Sequence, residues 1–261
     1  MAYALVTGAS KGIGKAVAEV LARRKFDILL VARSENLLKE NAAAIEKQYG
    51  VKTAYFATDI SAPDAAVKIT NWCKEKNVDI NVLVNNAGYG LGGAFEEISL
   101  EEQLNMMQLN MQSLVQLTYM MIPLLKKSDG KSYILNVSST AAHQAVPYLG
   151  VYSGTKAFVL NFSRSIHHEL KGENISVTCL CPGPTDTDFI NRAKMTGFKK
   201  VMKQSERFNM SAQTVAEIAI KGLFKGSLEI IPGGANKAGA FFSRVLPKKL
   251  TEKTLVGIYK P

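Results

Sequence analysis

Apolar residues along this chain alternate between short continuous runs and longer segments with helical spacing. The short runs predict strands at 3–7, 26–31, 51–57, 79–84, 132–138, 174–181 and 227–231. Between them, apolar residues recur every three or four positions, which predicts helices after residue 14, over 34–49, 62–76, 99–126 and 211–225, and from Tyr152 to about residue 170. This alternation predicts an α/β domain with a doubly wound parallel sheet of about seven strands.

A glycine-rich turn joins the first predicted strand to the first predicted helix. Its sequence is Thr7-Gly8-Ala9-Ser10-Lys11-Gly12-Ile13-Gly14. Gly8 permits a tight turn, Gly12 lets the backbone approach a pyrophosphate, and Gly14 allows close packing of helix on strand. The helix N-terminus adds N–H groups and a positive dipole end. Strand, glycine turn and helix in this order predict a Rossmann dinucleotide-binding fold.

The end of the second predicted strand indicates which dinucleotide is bound. A carboxylate there hydrogen-bonds the ribose 2′-hydroxyl of NAD, whereas a basic residue accommodates the 2′-phosphate of NADP. Ala32 and Arg33 stand at this position, and Arg33 can hold a phosphate through two hydrogen bonds. Lys11 in the glycine turn supplies a second cation on the same side. Together these residues favour NADP (NADPH).

Tyr152 and Lys156 are four positions apart, so a helix places them on one face about one turn from each other. A free phenol has a pKa of about 10, and an ammonium beside it favours the phenolate, so we expect Lys156 to lower the pKa of Tyr152. The pair can then exchange a proton with a substrate hydroxyl or carbonyl near neutral pH. Ser139, at the end of a predicted strand, can hydrogen-bond the same substrate oxygen. The spacing also arises by chance on exposed helices, so the hypothesis depends on Ser139 and the glycine turn.

Polar residues follow other predicted strands at the carboxyl edge of the sheet. Asp59 lies just beyond the strand 51–57, where it either faces an adenine or acts as a helix N-terminal acid before Ser61. Asn86, Ala87 and Gly88 follow the strand 79–84, and the loop 182–187 follows the strand 174–181. We expect the first group to line a cofactor groove and the loop to enclose the nicotinamide end.

Composition and charge narrow the class of protein. Hydrophobic residues make up 47% of the 261 residues, which is enough for the core of one large domain. The net charge of +10 includes a basic segment at 192–207, but no basic stretch is interleaved with aromatic residues, so we expect anionic cofactors, ligands or carriers rather than nucleic acid. Cys179 and Cys181 predict core packing rather than a metal site or a disulfide framework. The chain enters a strand at once and has no apolar run long enough to span a membrane, so we expect a cytoplasmic protein.

The ordered set of motifs resembles the short-chain dehydrogenase/reductase family, in its single-domain branch. The resemblance covers residues 3 to 231 and implies catalytic roles for Tyr152 as acid–base, Lys156, Ser139 and Asn110, whose mid-helix placement it explains as the site of a relay water. It implies adenine contacts for Asp59 and Ile60, contacts with the adenosine ribose region for Asn86, Ala87 and Gly88, and a carboxamide contact for Thr187. The loop motif further contains Pro182, Gly183 and Thr185.

The resemblance implies an NADPH-dependent enzyme that interconverts a carbonyl and a secondary alcohol on a lipophilic ketone or oxoacyl substrate. Alternatives are a 3-oxoacyl-carrier-protein reductase and a non-catalytic NADP-binding regulatory protein. The family implies a homodimer or homotetramer. We predict a catalytic domain at 1–231 and an amphipathic extension at 232–261, which is interpreted as a substrate lid, an oligomer contact, an interfacial membrane helix or a tail packed on the body.

Overall fold

A seven-stranded parallel sheet forms the centre of the molecule, as predicted. The computed structural model describes residues 2–195, 198, 201, 203 and 209–260. The sheet strands are β1 (Tyr3–Thr7), β2 (Asp27–Ala32), β3 (Thr53–Ala57), β4 (Ile80–Asn85), β5 (Ser132–Val137), β6 (Ile175–Leu180) and β9 (Glu229–Ile230). Their order is β3-β2-β1-β4-β5-β6-β9, and every neighbouring pair is parallel. The order reverses between β1 and β4, and a ligand crevice is expected at such a point.

Helices cover both faces of this sheet. The elements are α1 (Gly12–Arg23), α2 (Glu35–Tyr49), α3 (Ala65–Glu75), α4 (Leu100–Met107), α5 (Leu114–Lys127), α6 (Gly150–Glu169), α7 (Phe189–Arg192), α8 (Ala212–Phe224), α9 (Gly234–Val245) and α10 (Lys248–Tyr259). One apolar cluster joins α1, α2 and α8 to one face of the sheet, and another joins α3, α5 and α6 to the other. Burial on both faces explains why the strands read as continuous apolar runs.

The helical stretch predicted over 99–126 has the expected extent, but it is not one regular α-helix. The structure has α4, a π-helical turn over Gln108–Ser113, and then α5. In this wider turn the Ser113 hydroxyl donates to the Gln108 carbonyl, five residues earlier, at 3.1 Å. The turn carries Asn110 to a buried position, which accounts for a polar residue among apolar neighbours.

A second, two-stranded sheet stands apart from the main one and has no counterpart in the sequence prediction. It pairs β7 (Thr185–Asp186) with β8 (Met210–Ser211) in parallel. This pairing fastens the loop 182–187 to the residues that precede α8. The predicted basic segment 192–207 lies partly outside the described residues.

The extension after residue 231 forms the two helices α9 and α10. Helix α9 buries Ala240 and Ser243, whereas α10 packs Leu255 and Tyr259 against an apolar cluster that contains Tyr152. The extension is therefore in contact with the body close to the predicted acid–base residue. Within the described residues, no helix combines the length and the apolar character needed to cross a membrane.

Candidate active site

Tyr152 and Lys156 lie one turn apart on α6, and both side chains are buried. The Lys156 Nζ lies 5.8 Å from the centre of the Tyr152 ring and donates to the Val137 carbonyl oxygen at 3.0 Å. The Ser138 hydroxyl donates to the Lys156 carbonyl oxygen at 2.7 Å. These two bonds fix the helix and the lysine to the end of β5.

Ser139, rather than the adjacent Ser138, faces the phenol. The Ser139 Oγ accepts a hydrogen bond from the Ala141 N–H at 3.1 Å and is hydrogen-bonded to Tyr152. Ser138 is buried and its hydroxyl is used by the backbone of α6. The predicted choice of Ser139 therefore agrees with the geometry, since a substrate oxygen near Tyr152 is also within reach of Ser139.

The expected lowering of the Tyr152 pKa by Lys156 is wrong for this structure. Burial raises the pKa of Tyr152 to about 12, while the hydrogen bond with Ser139 opposes this rise and nearby Tyr259 adds to it. Burial also lowers the pKa of Lys156 to about 8. The lysine ammonium is directed to the Val137 carbonyl, so the desolvation of both groups dominates. Tyr152 is consequently protonated at neutral pH, as a proton donor must be.

Asn110 reaches the same place from the π-helical turn. Its Nδ2 donates to the Tyr89 carbonyl at 2.9 Å and to the Thr155 Oγ1 at 3.0 Å, and its Oδ1 accepts from the Tyr89 N–H at 3.1 Å. A Cβ atom on Gly88 would lie 2.8 Å from the Asn110 Oδ1 and 3.4 Å from the Lys156 Nζ. Gly88 is thus the position at which the asparagine, the lysine and the end of the cofactor groove meet.

The glycine turn has the backbone that a dinucleotide requires. Gly8 and Gly12 have φ values of 64° and 57°, which favour glycine. A Cβ atom on Gly14 would lie 2.3 Å from the Gly8 carbonyl oxygen, so helix and turn are as close as predicted. Ser10 lies in the turn itself, while Ile13 packs against the core. Within the described part of the chain, the Lys11 side chain does not cap the start of α1. The backbone N–H groups at that end are therefore available to bind an anion.

Two asparagines hold the turn in place. The Asn86 Nδ2 donates to the carbonyls of Thr7 and Gly8 at 3.0 and 3.3 Å. The Asn86 amide nitrogen is therefore engaged with the glycine turn, and its contact with the adenosine ribose region stays a prediction. The buried Asn41 donates to the Ala9 and Ser10 carbonyls at 3.2 and 3.0 Å. Sequence reasoning missed Asn41, although a polar residue on the apolar stripe of the helix 34–49 is a signal for such a role.

Charged side chains surround the end of β2. Arg33 is exposed there, whereas Lys11 lies 3.9 Å from Asp188 and so contacts the segment after β7. The Asp59 carboxylate accepts hydrogen bonds from the Ser61 N–H and hydroxyl at 2.9 and 2.7 Å. Because α3 begins only at Ala65, these bonds close a turn and do not cap the helix. Burial alone would raise the pKa of Asp59, but Ser61, Arg33 and a second arginine bring it below its usual value. Ile60, next to it, is buried.

That second arginine, Arg192, is a residue that the sequence did not single out. Its guanidinium lies 5.1 Å from the centre of the Tyr89 ring. Burial and then the charge of Arg33 lower the pKa of Arg192, so the two guanidinium groups are near enough for their charges to interact. Two like charges side by side are unfavourable by themselves and favourable when an anion binds between them. In the sequence, Arg192 was one cation among many.

The loop after β6 closes the other end of the groove. The Thr140 N–H donates to the Pro182 carbonyl at 2.9 Å, which joins this loop to the turn that follows Ser139. The Thr185 hydroxyl donates to the Gly183 carbonyl at 3.0 Å. A Cβ atom on Gly12 would lie 3.0 Å from the Thr187 Cγ2, so the loop faces the glycine turn directly. The Ala87 N–H donates to the Thr7 Oγ1 at 3.1 Å.

An apolar cavity of about 120 Å³ adjoins Tyr152. Its lining consists of Leu91, Gly93, Phe95, Ile98, Gln103, Met106, Tyr148, Gly150 and Val151. Leu91, Met106 and Val151 also belong to the cluster around Tyr152, whose ring is 5.4 Å from that of Phe189. A carbonyl bound at Tyr152 would therefore have apolar surface beside it.

Comparisons with known proteins identify the family. Residues 2–197 match the family model described as short chain dehydrogenase. This protein is a short-chain dehydrogenase. The very-long-chain 3-oxoacyl-CoA reductase-B of Danio rerio is 34% identical over 263 residues, which cover 98% of this chain and 79% of the relative. The very-long-chain 3-oxoacyl-CoA reductase of Laccaria bicolor is 38% identical over 179 residues, and that match spans only 52% of the fungal protein.

Solved structures agree with this assignment. A short-chain dehydrogenase from Sphingobium yanoikuyae in complex with NADPH has a TM-score of 0.82 at 28% identity, over 94% of this chain and 93% of that one. The L-sorbose reductase of Gluconobacter frateurii, complexed with NADPH and L-sorbose, has a TM-score of 0.79 at 25% identity, over 89% and 95%. The predicted family, fold and class of enzyme, an oxidoreductase acting on CH–OH groups, are confirmed, as is the nicotinamide dinucleotide cofactor.

The residues of this short-chain dehydrogenase fit such a cofactor. In the cradle, a side chain at Gly8 or Gly14 would displace Asn86 or backbone, and one at Gly12 would crowd the Thr187 side chain. The open start of α1 suits a pyrophosphate, and Arg33 with Arg192 suits a further phosphate at the end of β2. The opposite end reaches Lys156 and Tyr152, where a nicotinamide would meet the substrate.

The two cysteines are buried as predicted, and a cluster of charged side chains lies next to them. The Sγ atoms of Cys179 and Cys181 are 3.8 Å apart and buried, and the His143 Nε2 lies 3.2 Å from the Glu229 carboxylate beside them. Atoms of Cys181, His143 and Glu229 lie within 4.8 Å of one another. The carboxylate, however, already binds the guanidinium groups of Arg164 and Arg244. We interpret the group as an ion-pair cluster under the Ser139 turn, since those positive charges oppose a bound cation.

Proposed function

We propose that this short-chain dehydrogenase is an NADPH-dependent reductase of lipophilic 3-oxoacyl thioesters, with Tyr152 as the acid. The observation that carries the proposal is the hydrogen-bonded pair of Tyr152 and Ser139 beside an apolar cavity of about 120 Å³. A polar reaction centre with an apolar wall suits a carbonyl carried on a fatty chain. The names of the relatives at 34–38% identity support the oxoacyl class.

The roles of the residues follow from their positions. Bound NADPH would supply the hydride to the carbonyl carbon. Ser139 donates a hydrogen bond to the carbonyl oxygen, and Tyr152 transfers its proton to that oxygen as negative charge develops. Lys156, whose pKa is lowered to about 8, stabilises the resulting phenolate. Asn110 holds the backbone of Tyr89 beside Lys156 and faces the same opening at Gly88.

Preference for NADPH over NADH is part of the proposal. The end of β2 has no carboxylate to bind a ribose 2′-hydroxyl, and Arg33 has Arg192 beside it. Two guanidinium groups at one place would neutralise a 2′-phosphate dianion. The cytoplasmic location and the homo-oligomeric state stay predictions.

Turnover of a defined substrate panel tests the proposal. The purified protein would be mixed with NADPH and with long- and short-chain 3-oxoacyl-coenzyme A, a 3-oxoacyl carrier protein, or a simple aliphatic ketone, and nicotinamide fluorescence would be followed. We expect consumption of NADPH to be fastest with the long-chain oxoacyl thioester. Preference for the carrier-protein ester would support the alternative reductase. Tight NADPH binding without turnover on any of the substrates would support a regulatory protein instead.

A further inference from the structure

The side of α9 that faces away from the body is apolar. Helix α9 turns Ala240 and Ser243 towards the protein, where both are buried. At about 100° per residue, the opposite side carries Phe241, Phe242 and Val245, whose exposed fractions are 59%, 52% and 58%. Two exposed phenylalanines on adjacent positions are unusual for a surface that meets only water.

The next helix in the chain, α10, carries positive charge on its own outward side. Its Leu255 and Tyr259 pack inward, so helical geometry turns Lys249, Lys253 and Lys260 outward, and all three are exposed. Leu250, 56% exposed, lies on the same outward side. Residues 234–260 contain six lysines and arginines and one acid, Glu252, so the extension has a net charge of 6 − 1 = +5.

We propose that this outward side of α9 and α10, the docking face, binds the surface of an anionic lipid bilayer. Phe241, Phe242 and Val245 would enter the boundary between head groups and acyl chains, while the lysines of α10 would pair with anionic head groups. Charge selects this occupant over a second copy of the chain. Two such faces brought together would place the exposed lysines of one α10 near those of the other, whereas an anionic lipid surface is complementary.

The docking face and the candidate active site lie on opposite sides of one helix. Leu255 and Tyr259 project from the inner side of α10 into the cluster that holds Tyr152. A bilayer at the outer side would therefore present lipophilic molecules within one helix diameter, about 10–12 Å, of that cluster. This consequence rests on the proposed function, but binding to the bilayer does not.

Co-sedimentation with vesicles tests the docking face. The full chain would be mixed with vesicles of phosphatidylcholine alone and of phosphatidylcholine with about one third phosphatidylserine. We expect it to sediment with the anionic vesicles, and to do so less as salt is added. The triple variant Phe241→Ser, Phe242→Ser, Val245→Ser should lower the partition coefficient at least about tenfold. The triple variant Lys249→Glu, Lys253→Glu, Lys260→Glu should lower it by a similar factor.

Matched controls distinguish binding through the docking face from non-specific binding by exposed apolar side chains or by net charge elsewhere. Lys47→Glu, Lys74→Glu, Lys76→Glu makes the same change in net charge at exposed lysines of α2 and the end of α3, and it should bind vesicles more tightly than the α10 variant. Val67→Ser, Tyr119→Ser removes exposed apolar side chains elsewhere and should bind like the parent. Equal loss in either control would overturn the proposal.

Two further outcomes distinguish the possible failures. If the parent protein ignores vesicles and the α9 variant merely lowers its oligomeric state in sedimentation velocity, the face is a contact between copies and the proposal is wrong. NADPH binding, measured on every variant, should be unchanged, which shows that the variants are folded. Vesicle binding without turnover of any oxoacyl thioester would refute the proposed function while leaving the docking face supported.

Discussion

At the scale of single residues, the desolvation of Tyr152 explains more of the site than its charge partners do. The phenol is held protonated at neutral pH by burial, with a pKa of about 12, and the lysine beside it has a pKa of about 8. A donor with a high pKa gives up its proton only as an acceptor becomes basic, which is what a carbonyl oxygen does when hydride arrives at its carbon. The protonated phenol is the form that the reduction of a carbonyl requires.

Tyr152→Phe tests the acid directly. We expect kcat to fall at least about a hundredfold, because general acid catalysis contributes about 10²–10⁴, whereas the affinity for NADPH stays close to that of the parent since the ring and its packing remain. The measurement is steady-state turnover together with a fluorescence titration by NADPH. Residual turnover above about a tenth would remove Tyr152 from the acid role.

Arg33→Asp and Arg192→Ala test the phosphate contacts. Arg33→Asp should reverse the ratio of NADPH to NADH affinity, because a carboxylate repels the 2′-phosphate and accepts a hydrogen bond from a 2′-hydroxyl. Arg192→Ala should weaken NADPH on the order of tenfold and NADH little, since hydrogen bonds to charged groups contribute about 1.5–3 kcal/mol before screening by solvent. Lys47→Ala, on exposed α2 surface, serves as control. Equal weakening of both cofactors by Arg192→Ala would show that it does not contact the phosphate.

The sequence predicted these residues unequally, for a physical reason. Asn110 and Ser139 were identified because each is a polar residue among apolar neighbours. Core packing alone does not require a polar residue there, so its presence indicates a functional role. Asn86 was identified as a cofactor residue, but the binding of its amide nitrogen to the Thr7 and Gly8 carbonyls was missed, because no local pattern indicates it. Arg192 was missed because its importance comes from a ring and a guanidinium distant in sequence.

At the scale of elements, the turn after Ser139 rests on an ion-pair cluster. The Glu229 carboxylate at the edge strand β9 receives His143 from that turn, Arg164 from α6 and Arg244 from α9. Burial opposes the charge, but hydrogen bonds from His143 and Arg164 and the charge of Arg164 lower the pKa of Glu229 to about 2. Four elements thus depend on one carboxylate.

The loss of folding stability at acidic pH should depend on the Glu229 carboxylate. The folded-state pKa of about 2 lies below the ordinary value of 4.5, so the contribution is present above pH 4.5 and is lost as the pH falls towards 2. We expect Glu229→Gln to lower the free energy of unfolding at neutral pH by about 1–3 kcal/mol and to lose less stability between these pH values than the parent. Urea unfolding at several pH values measures both. Parallel pH curves for parent and variant would contradict the assignment.

The helix boundaries show where the spacing of apolar residues is sufficient to predict a helix. The predicted helix over 34–49 differs from α2 by one residue at the start, and that over 211–225 differs from α8 by one residue at each end, because their apolar stripes are long. The stretch 99–126 is helical as predicted, but its π-helical turn was missed, because apolar residues on both sides hide the one-residue shift of the stripe. The π-helical turn is fixed by Tyr89 and Thr155, which lie outside the helix.

At the scale of the whole molecule, the sequence predicted the central sheet, but it did not predict the segments that cover the candidate active site. Continuous apolar runs specify buried parallel strands wherever they occur, whereas β7 and β8 are two residues each and exist only because distant segments meet. The placement of α10 over the Tyr152 cluster likewise depends on tertiary packing. The boundary predicted at residue 231 stays a prediction.

Tyr259→Ala tests the influence of this packing on the chemistry. Burial is the largest cause of the raised pKa of Tyr152, and Tyr259 adds to it, so removing the Tyr259 ring should lower that pKa. In the oxidative direction, which needs the phenolate, the rising limb of the pH–rate profile should move to lower pH. Leu250→Ala, on the outer side of α10, should leave the limb in place. An unchanged profile in Tyr259→Ala would separate α10 from the acid–base step.

The contact between Gly183 and Asn236 limits how this enzyme can be recombined. A Cβ atom on Gly183 would lie 2.3 Å from the Asn236 Oδ1, and Asn236 is held by the Pro232 carbonyl at 2.7 Å. The extension and the loop at the nicotinamide end therefore form a matched pair, with no space for independent change. A chimera that takes its C-terminal helices from one relative and its loop from another would combine two segments whose side chains do not pack together. Engineering of the substrate range should therefore exchange the loop and the C-terminal helices together.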